Sequence, residues 1–304
     1  MRFQLVSVMR ALREERLFLS LTGMRISEFK RLVETFEKVL LSALAQRNRQ
    51  RAIGAGRKGA LKDVESKAFY ILFYLKVYPT YDLAGFIFGV DRSRCFHWTK
   101  RLMPLLEKAL GRHVVLPKRQ ICSVEEFMAL CPDVKDLFLD GTERPTQRPQ
   151  KSKLYKKRYS GKKRCHTRKN SLIANEKREI LFLSPTKEGR VHDLTQIKKT
   201  EILQHFPPDK SLWVDKAFQS IQKCLKPSNT VMIPHKKPRK KPLSAQQKKE
   251  NRIISGIRIV VEHAINGVKR FATTSHIYRN RRGQDDQFIL LCAGLWNFHL
   301  KNFH

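Results

Sequence analysis

The sequence predicts an α/β protein in two parts, an all-helical N-terminal domain followed by a mixed-sheet domain. Two observations carry this. Apolar residues recur at helical spacing up to about residue 110, and after residue 135 short apolar runs of strand length replace them before long helical patterns close the chain. A hydrophobic content of 41% in 304 residues is enough to build a core in spite of the charge. The expected domains are 1–110 and 136–304. A connector is expected at 111–135, where two prolines interrupt a stretch without a clean period.

In the first part, ISEFKRLVETFEKVLLSAL reads as a helix, and the basic, glycine-punctuated residues 47–59 read as a loop or arm. VESKAFYILFYLKVY is a second helix. A short helix follows Pro79 with Thr80 as its cap, and another is opened by Asp91 or Ser93. The glycine turn Phe88-Gly89-Val90-Asp91 between these last two gives a helix-turn-helix pattern. On its second helix Cys95, Trp98, Leu102 and Leu105 form an apolar face, and Arg94, His97 and Arg101 form the opposite stripe. Arginine suits guanine edges and phosphates, so Arg94, His97 and Arg101 are candidate DNA-facing residues, with Lys100 as a backbone contact. The competing reading is the solvated face of an ordinary three-helix bundle, and the net charge favours DNA.

In the second part, DLFLD reads as a buried strand followed by a loop over GTERPTQRPQKSK. SLIAN and EILFLS form a hairpin across residues 176–178. A helix starts at Asp193, with Gln196 at the third helical position as in a capping box. SLWVD and TVMIP are further strands. HKKPRKKP is too basic and proline-broken to be either element, residues 243–271 read as one long helix, and DDQFILLCAGLWNFHL as a final packing helix. Three strands, a helix, a strand, an irregular crossing, a strand and a long helix is the order of the ribonuclease H-like nuclease fold.

Sixty-two Lys and Arg against 27 Asp and Glu give a formal charge of +35, which calls for a polyanionic partner, and nucleic acid is the expected one. A ribosomal-type or membrane-surface protein is the bland alternative. The six cysteines (95, 122, 131, 165, 224 and 292) show neither CxxC nor zinc spacing and read as reduced thiols in a cytosolic protein. No apolar run approaches the ~20 residues of a membrane span, and no signal-peptide pattern opens the chain, so neither insertion nor secretion is expected.

Against this background three acids stand out. Asp140 and Asp215 each end an apolar strand-like run, and Glu262 lies inside an apolar helical pattern. A carboxylate at the end of a buried strand is expensive unless neutralised, and a divalent cation neutralises several at once. Two cations about 3.5 to 4 Å apart can activate an attacking oxygen, stabilise a leaving oxygen and absorb charge during phosphodiester cleavage. Taken singly, Asp140 could start a turn, Asp215 could pair with Lys216, and Glu262 could be a surface charge. Arg258, Glu262 and Lys269 fall on one helical stripe, so the two cations could grip a DNA backbone beside a metal-holding acid. An intrahelical ion pair is the simpler account of that stripe.

DGTE, VDKAF and RIVVEHAINGVKRF together resemble the DDE transposases of bacterial insertion sequences, in particular the IS-five-type group, whose nuclease domain follows a helix-turn-helix domain. The likeness extends to GAGRKGALKD, LFYLKVYPTYDLAGFIFG and YSGKKRCHTRKN. It implies that Asp140, Asp215 and Glu262 are the catalytic acids and hold two Mg²⁺ ions, for which Mn²⁺ substitutes. Arg258 and Lys269 would match the arginine and lysine of the family's tyrosine-arginine-glutamate-lysine signature, while the tyrosine position holds Ser255. Ala217 and Phe218 stand where the family commonly has glycine and tyrosine. His192-Asp193 resembles the family's His-Asp pair, with Asp193 expected to cap a helix and His192 to be structural. The resemblance implies a nucleoid-associated cytoplasmic enzyme that acts as a homodimer or higher oligomer on double-stranded DNA, at the element's ends and at a target. The alternatives are a DNA-binding protein without catalysis, either a repressor or a decayed copy, and a structural RNA-binding protein using its basic loops.

Overall fold

A computed structural model describes residues 7–46, 59–208, 210–238, 242–280 and 283–302. Residues 47–58 of the expected basic arm lie outside these. The chain forms two compact units: residues 1–116 with 268–276 and 287–304, and residues 117–267 with 277–286.

The first unit contains α1 (Val8–Ala11), α2 (Glu15–Thr22), α3 (Ile26–Ala45), α4 (Val64–Val77), α5 (Tyr81–Phe88) and α6 (Arg92–Arg112). Eight successive residues of α4, Ala68 to Leu75, are buried, so this helix is apolar all round and forms the centre of the unit. Aromatic rings interlock about it: Phe18 with Phe69, and Tyr70 edge-on to both Phe88 and Trp98 at 5.1 Å. The buried Tyr70 hydroxyl donates to the Cys95 carbonyl at 2.8 Å, which ties α4 to α6.

The helix-turn-helix is built from local signals. Thr80 Oγ1 accepts from Leu83 N and starts α5, and Asp91 Oδ1 accepts from Ser93 N at 2.8 Å and starts α6. Asp91 is thus the cap, not Ser93. Between them Gly89 takes the left-handed conformation at φ 64°, and Val90 N bonds back to the Gly85 carbonyl at 2.9 Å, closing a Schellman turn. Gly85 itself is pressed on this turn, since a Cβ there would come within 2.6 Å of the Val90 oxygen.

The chain's last stretch also belongs to this unit, through α11 (Ala272–Ser275) and most of α12 (Asp285–Lys301). Phe288 packs on Tyr74 and Tyr78, Gln287 donates to Glu107, Asn297 donates to the Val115 carbonyl, and His299 meets the buried Glu28 at 2.6 Å. The expected 136–304 domain is therefore not one compact body. Its closing helix turns out to be a wall of the helical unit, because it is apolar almost throughout and buries Phe288, Ile289, Leu291, Cys292, Ala293, Leu295 and Phe298.

The second unit is an α/β domain with a mixed sheet in the ribonuclease H-like arrangement. Its strands are β1 (Asp136–Pro145), β2 (Tyr159–Ser160), β3 (Cys165–Asn175), β4 (Ile180–Leu183), β5 (Lys187–Glu188), β6 (Ser211–Val214) and β7 (Thr230–Met232). The sheet runs β2-β3-β1-β6-β7, with β4 and β5 also paired to β3. β1 is antiparallel to β3 and parallel to β6, and β6 is parallel to β7. The helices are α7 (Val124–Leu130), α8 (Ser152–Arg158), α9 (Asp193–Lys198) and α10 (Ala245–Lys269).

Two expectations are corrected here. Residues 117–135 are not a connector: Ile121, Phe127 and Cys131 are buried in the same core as Leu137, Leu139, Ile197, Leu212 and Val214. GTERP is not a loop either. It continues β1 to Pro145, because Gly141 to Pro145 pair with Ser171 to Thr167 on β3, a long-range ladder that overrides the local turn chemistry.

Gly85→Ala should cost about 1–3 kcal/mol, since the added methyl must displace backbone. Denaturant melts of the variant should show that loss, with weakened binding of duplex DNA.

Candidate active site

The sheet register brings two of the three acids together. β1 and β6 run parallel, and their last paired residues are Leu139 and Val214. The next residue on each strand, Asp140 and Asp215, therefore emerges at the same level on neighbouring strands. Alternation sets the face: Leu137, Leu139, Leu212 and Val214 enter the core, while Phe138 and Trp213 stack on the other side, and the two acids follow the latter pair.

Arg258 of α10 meets them. Its Nη2 lies 3.0 Å from Asp140 Oδ2 and its Nη1 3.7 Å from Asp215 Oδ1. The side chains of Arg258, Asp140 and Asp215 are 9%, 22% and 35% exposed, so the arginine is the most deeply held of the three. It was expected to grip DNA from an open helix face, and in this structure it is a counter-charge to the acids. Its Nε is buried without a hydrogen-bond partner among the described residues.

Burial pushes the Asp140 carboxyl above the usual aspartate range. Arg258 and the 2.7 Å hydrogen bond from Gly141 N act in the opposite direction, as does Lys162, while the neighbouring Asp215 adds to the rise. In direct contact, one guanidinium faces two carboxylates and leaves one negative charge unmatched, in a chain whose net charge is +35.

Glu262 lies on α10 one turn beyond Arg258 and is exposed. Among the described residues, no group of three or more His, Cys, Asp or Glu is arranged to hold a metal ion. The structure thus assembles Asp140, Asp215 and Arg258 and does not bring Glu262 into a three-acid cluster. The donor chemistry of the aspartate pair suits a hard divalent cation, which takes oxygen ligands. Lys269, at the end of the same helix, is half-buried, and Ser255 is exposed.

The other face of β1 carries a polar cluster that sequence reasoning missed. The buried Lys169 ammonium is 2.9 Å from Asp193 Oδ1 and 3.3 Å from Glu143 Oε1, and Thr167 donates to Glu143 at 2.8 Å. Burial alone would raise the Glu143 carboxyl, but the bonds from Thr167 and the charge of Lys169 outweigh it and leave it below the usual range. His192, not Asp193, is the N-cap of α9, accepting from Leu194 N. Asp193 instead lies against the backbone after Asp140, since a Cβ on Gly141 would stand 3.4 Å from its Oδ1. The register Glu143 opposite Lys169 would have shown this pairing, but only once β1 was known to extend past Asp140.

The helix-turn-helix residues Arg94, His97, Lys100 and Arg101 are all exposed on α6, opposite the buried Cys95, Leu102 and Leu105. Trp98 is half-buried against Tyr70. No helix among the described residues is long and apolar enough to cross a membrane.

Residues 139–297 match a family described as "DDE superfamily endonuclease", and residues 59–112 match "Helix-turn-helix of DDE superfamily endonuclease". The chain is 31% identical over 237 residues to a protein of Microchaete diplosiphon described as "Probable transposase for insertion sequence element IS702", covering 78% of this chain and 81% of that relative. No solved structure matches.

Asp140 binds its proton more tightly folded than unfolded, so its contribution to stability is complete below the unfolded aspartate value of about 3.9 and is lost as pH rises through the raised folded value. Urea melts in metal-free buffer should show Asp140→Asn gaining on the wild type from about pH 4 upward. A constant difference across that window would contradict the assignment.

Proposed function

We infer, from the premise that this chain belongs to the DDE superfamily endonucleases of insertion sequences, that it is a transposase that binds the terminal inverted repeats of its element, cuts there and joins the freed end to target DNA. The observation that carries the reading is the parallel register of Leu139 and Val214, which sets Asp140 and Asp215 side by side on one sheet face. Family membership implies the use of divalent metal, and Mg²⁺, with Mn²⁺ as substitute, is the proposed ion. Asp140 and Asp215 would hold it, with Glu262 as the third acid. A bound pair of such ions supplies Lewis-acid activation of the attacking oxygen and stabilisation of the leaving oxygen.

The chain's own groups have separate tasks. Arg258 holds the two aspartates in register through its two terminal nitrogens, and so prepares the carboxylates as ligands. The Lys169 bridge between Glu143 and Asp193 stiffens β1 directly after Asp140. Both cleavage and joining are in-line displacements at phosphorus, so one rigid set of carboxylates serves both. Arg94, His97 and Arg101 on α6 would face the major groove of the repeat, with Lys100 on a phosphate. Lys269 and the Lys and Arg of 151–164 and 236–241 are proposed to hold the DNA backbone, Arg168 and Lys169 being taken up by their own ion pairs. A homodimer or higher oligomer would pair the two ends, in the cytoplasm with the nucleoid DNA.

Strand transfer on end-containing duplex with Mg²⁺ tests the reading. Asp215→Ala should abolish product while retaining end binding, and undiminished product would refute the assignment. If the wild type binds ends yet never cuts them, a non-catalytic DNA-binding protein is the better description. Mn²⁺ should raise the melting temperature of the wild type, by about 2.7 kcal/mol of stabilisation at a hundredfold excess over its dissociation constant, and leave Asp140→Asn unmoved. Arg101→Ala should cost about 1–3 kcal/mol if it reads a base, and lose preference for the repeat at that position alone.

A further inference from the structure

A basic cleft lies in the second unit beyond the far end of β1. It has a volume of 610 Å³ and is walled by residues 146–151 on one side and 278–280 on the other, with Leu154 and Arg158 of α8. Thr146 and Tyr278 form an isolated parallel bridge, so the two walls are hydrogen-bonded together: Tyr278 N donates to the Pro145 carbonyl at 2.8 Å and Gln147 N to the Tyr278 carbonyl at 3.3 Å. A second cleft of 570 Å³ shares Arg148, Pro149 and Gln150 with it and is also lined by Ser152, Tyr155 and Lys156.

Among the described residues, the lining of both clefts contains Arg148, Lys151, Lys156, Arg158 and Arg279 and no acid. Two buried polar atoms near this lining lack a partner among the described residues. Arg158 Nε is buried and has no hydrogen-bond partner among the described residues, and the same holds for Nε2 of His166. Burial, together with the charges of Arg148 and Arg158, pushes the His166 imidazole below its ordinary value. Aromatic surface is interleaved with the cations: the Arg148 guanidinium lies 4.9 Å over the Tyr155 ring, Tyr155 packs on His166 at 4.5 Å, and Tyr159 beside it is exposed.

We propose that these neighbouring clefts bind an unpaired DNA strand, with Arg148 turning from the Tyr155 ring to a phosphate, Lys151 and Arg158 on further phosphates, and a base taking the place of the guanidinium on Tyr155. The inference rests on the reading that DNA strands are this chain's substrate, and adds which form of strand is held and where. Size bears on the form. A volume of 610 Å³ lies in the range of small-ligand pockets, so a nucleotide or two can enter it, whereas a duplex could only lie across its mouth. Cations alternating with aromatic faces are the physical basis of single-strand binding, since every base offers a face to stack. Thr146 lies six residue steps beyond Asp140, just past the end of β1, about 20 Å at the usual strand rise, and the cleft would hold the strand at about that distance from the aspartates.

The test uses the full-length protein with Mg²⁺ and two fluorescent probes of the same end sequence, one fully duplex and one with a single-stranded flank. Arg148→Ala, Arg158→Gln and Tyr155→Ala should each weaken binding of the flanked probe by about tenfold more than that of the duplex, the scale of one lost stacking or phosphate contact. For the two arginine variants, the slope of log affinity against log salt on the flanked probe should also fall by about 0.7 for each lost phosphate contact. Equal losses on both probes would overturn the proposal in favour of a duplex contact, and no loss on either would remove DNA from the cleft altogether. Circular dichroism melts of each variant separate these outcomes from misfolding, with Arg148→Lys retaining most of the binding if charge is what matters. If the wild type bound neither probe, the transposase reading itself would fail, a result distinct from the failure of the cleft.

Discussion

The pairing of β1 with β6 is the constraint on which the site depends. A parallel ladder that ends at Leu139 and Val214 leaves the next two residues abreast, and both are aspartates. Two carboxylates so placed repel, and burial raises the cost, as the upward shift of Asp140 records. Arg258 relieves part of it from α10. The remainder is what the proposed cation would offset, and the surrounding architecture holds both strands in place. The apolar core under Leu137, Leu139, Leu212 and Val214 does so from one face, and the Glu143-Lys169-Asp193 bridge braces the strand past the acid.

Much of this was legible in the residues. DLFLD and SLWVD declare themselves as apolar runs ended by an acid, and Thr80, Gly89 and Asp91 mark the helix-turn-helix by their capping and turn chemistry. Local signals of this kind survive because the structure uses them locally. The misreadings arose where partners are remote. Gly141 to Pro145 carries loop chemistry, yet the facing residues of β3 recruit it into the sheet. Phe127 lies in a short helix with no clear period, and its burial is decided by Phe206 and the rest of a core that no local pattern reveals. Arg258 reads as a surface cation by spacing, and only the sheet geometry shows which side of α10 faces the aspartates.

The expected triad divides along the same line. Asp140 and Asp215 are positioned by backbone hydrogen bonding, which a strand pattern encodes well. Glu262 is carried by a separate helix, and its direction depends on how that helix is rotated on the sheet, which no spacing rule fixes. Arg258 is buried and Glu262 exposed although only four residues separate them.

The sharing of the chain's last helix has a consequence for how such a gene decays. Phe288, Gln287, Asn297 and His299 close the same unit that presents α5 and α6. A premature stop codon anywhere after the sheet would strip that wall from Tyr74, Glu107, Val115 and Glu28, and expose the α4 core. Truncation past the sheet would therefore leave every residue of the helix-turn-helix in the chain and still remove the packing that holds its unit together.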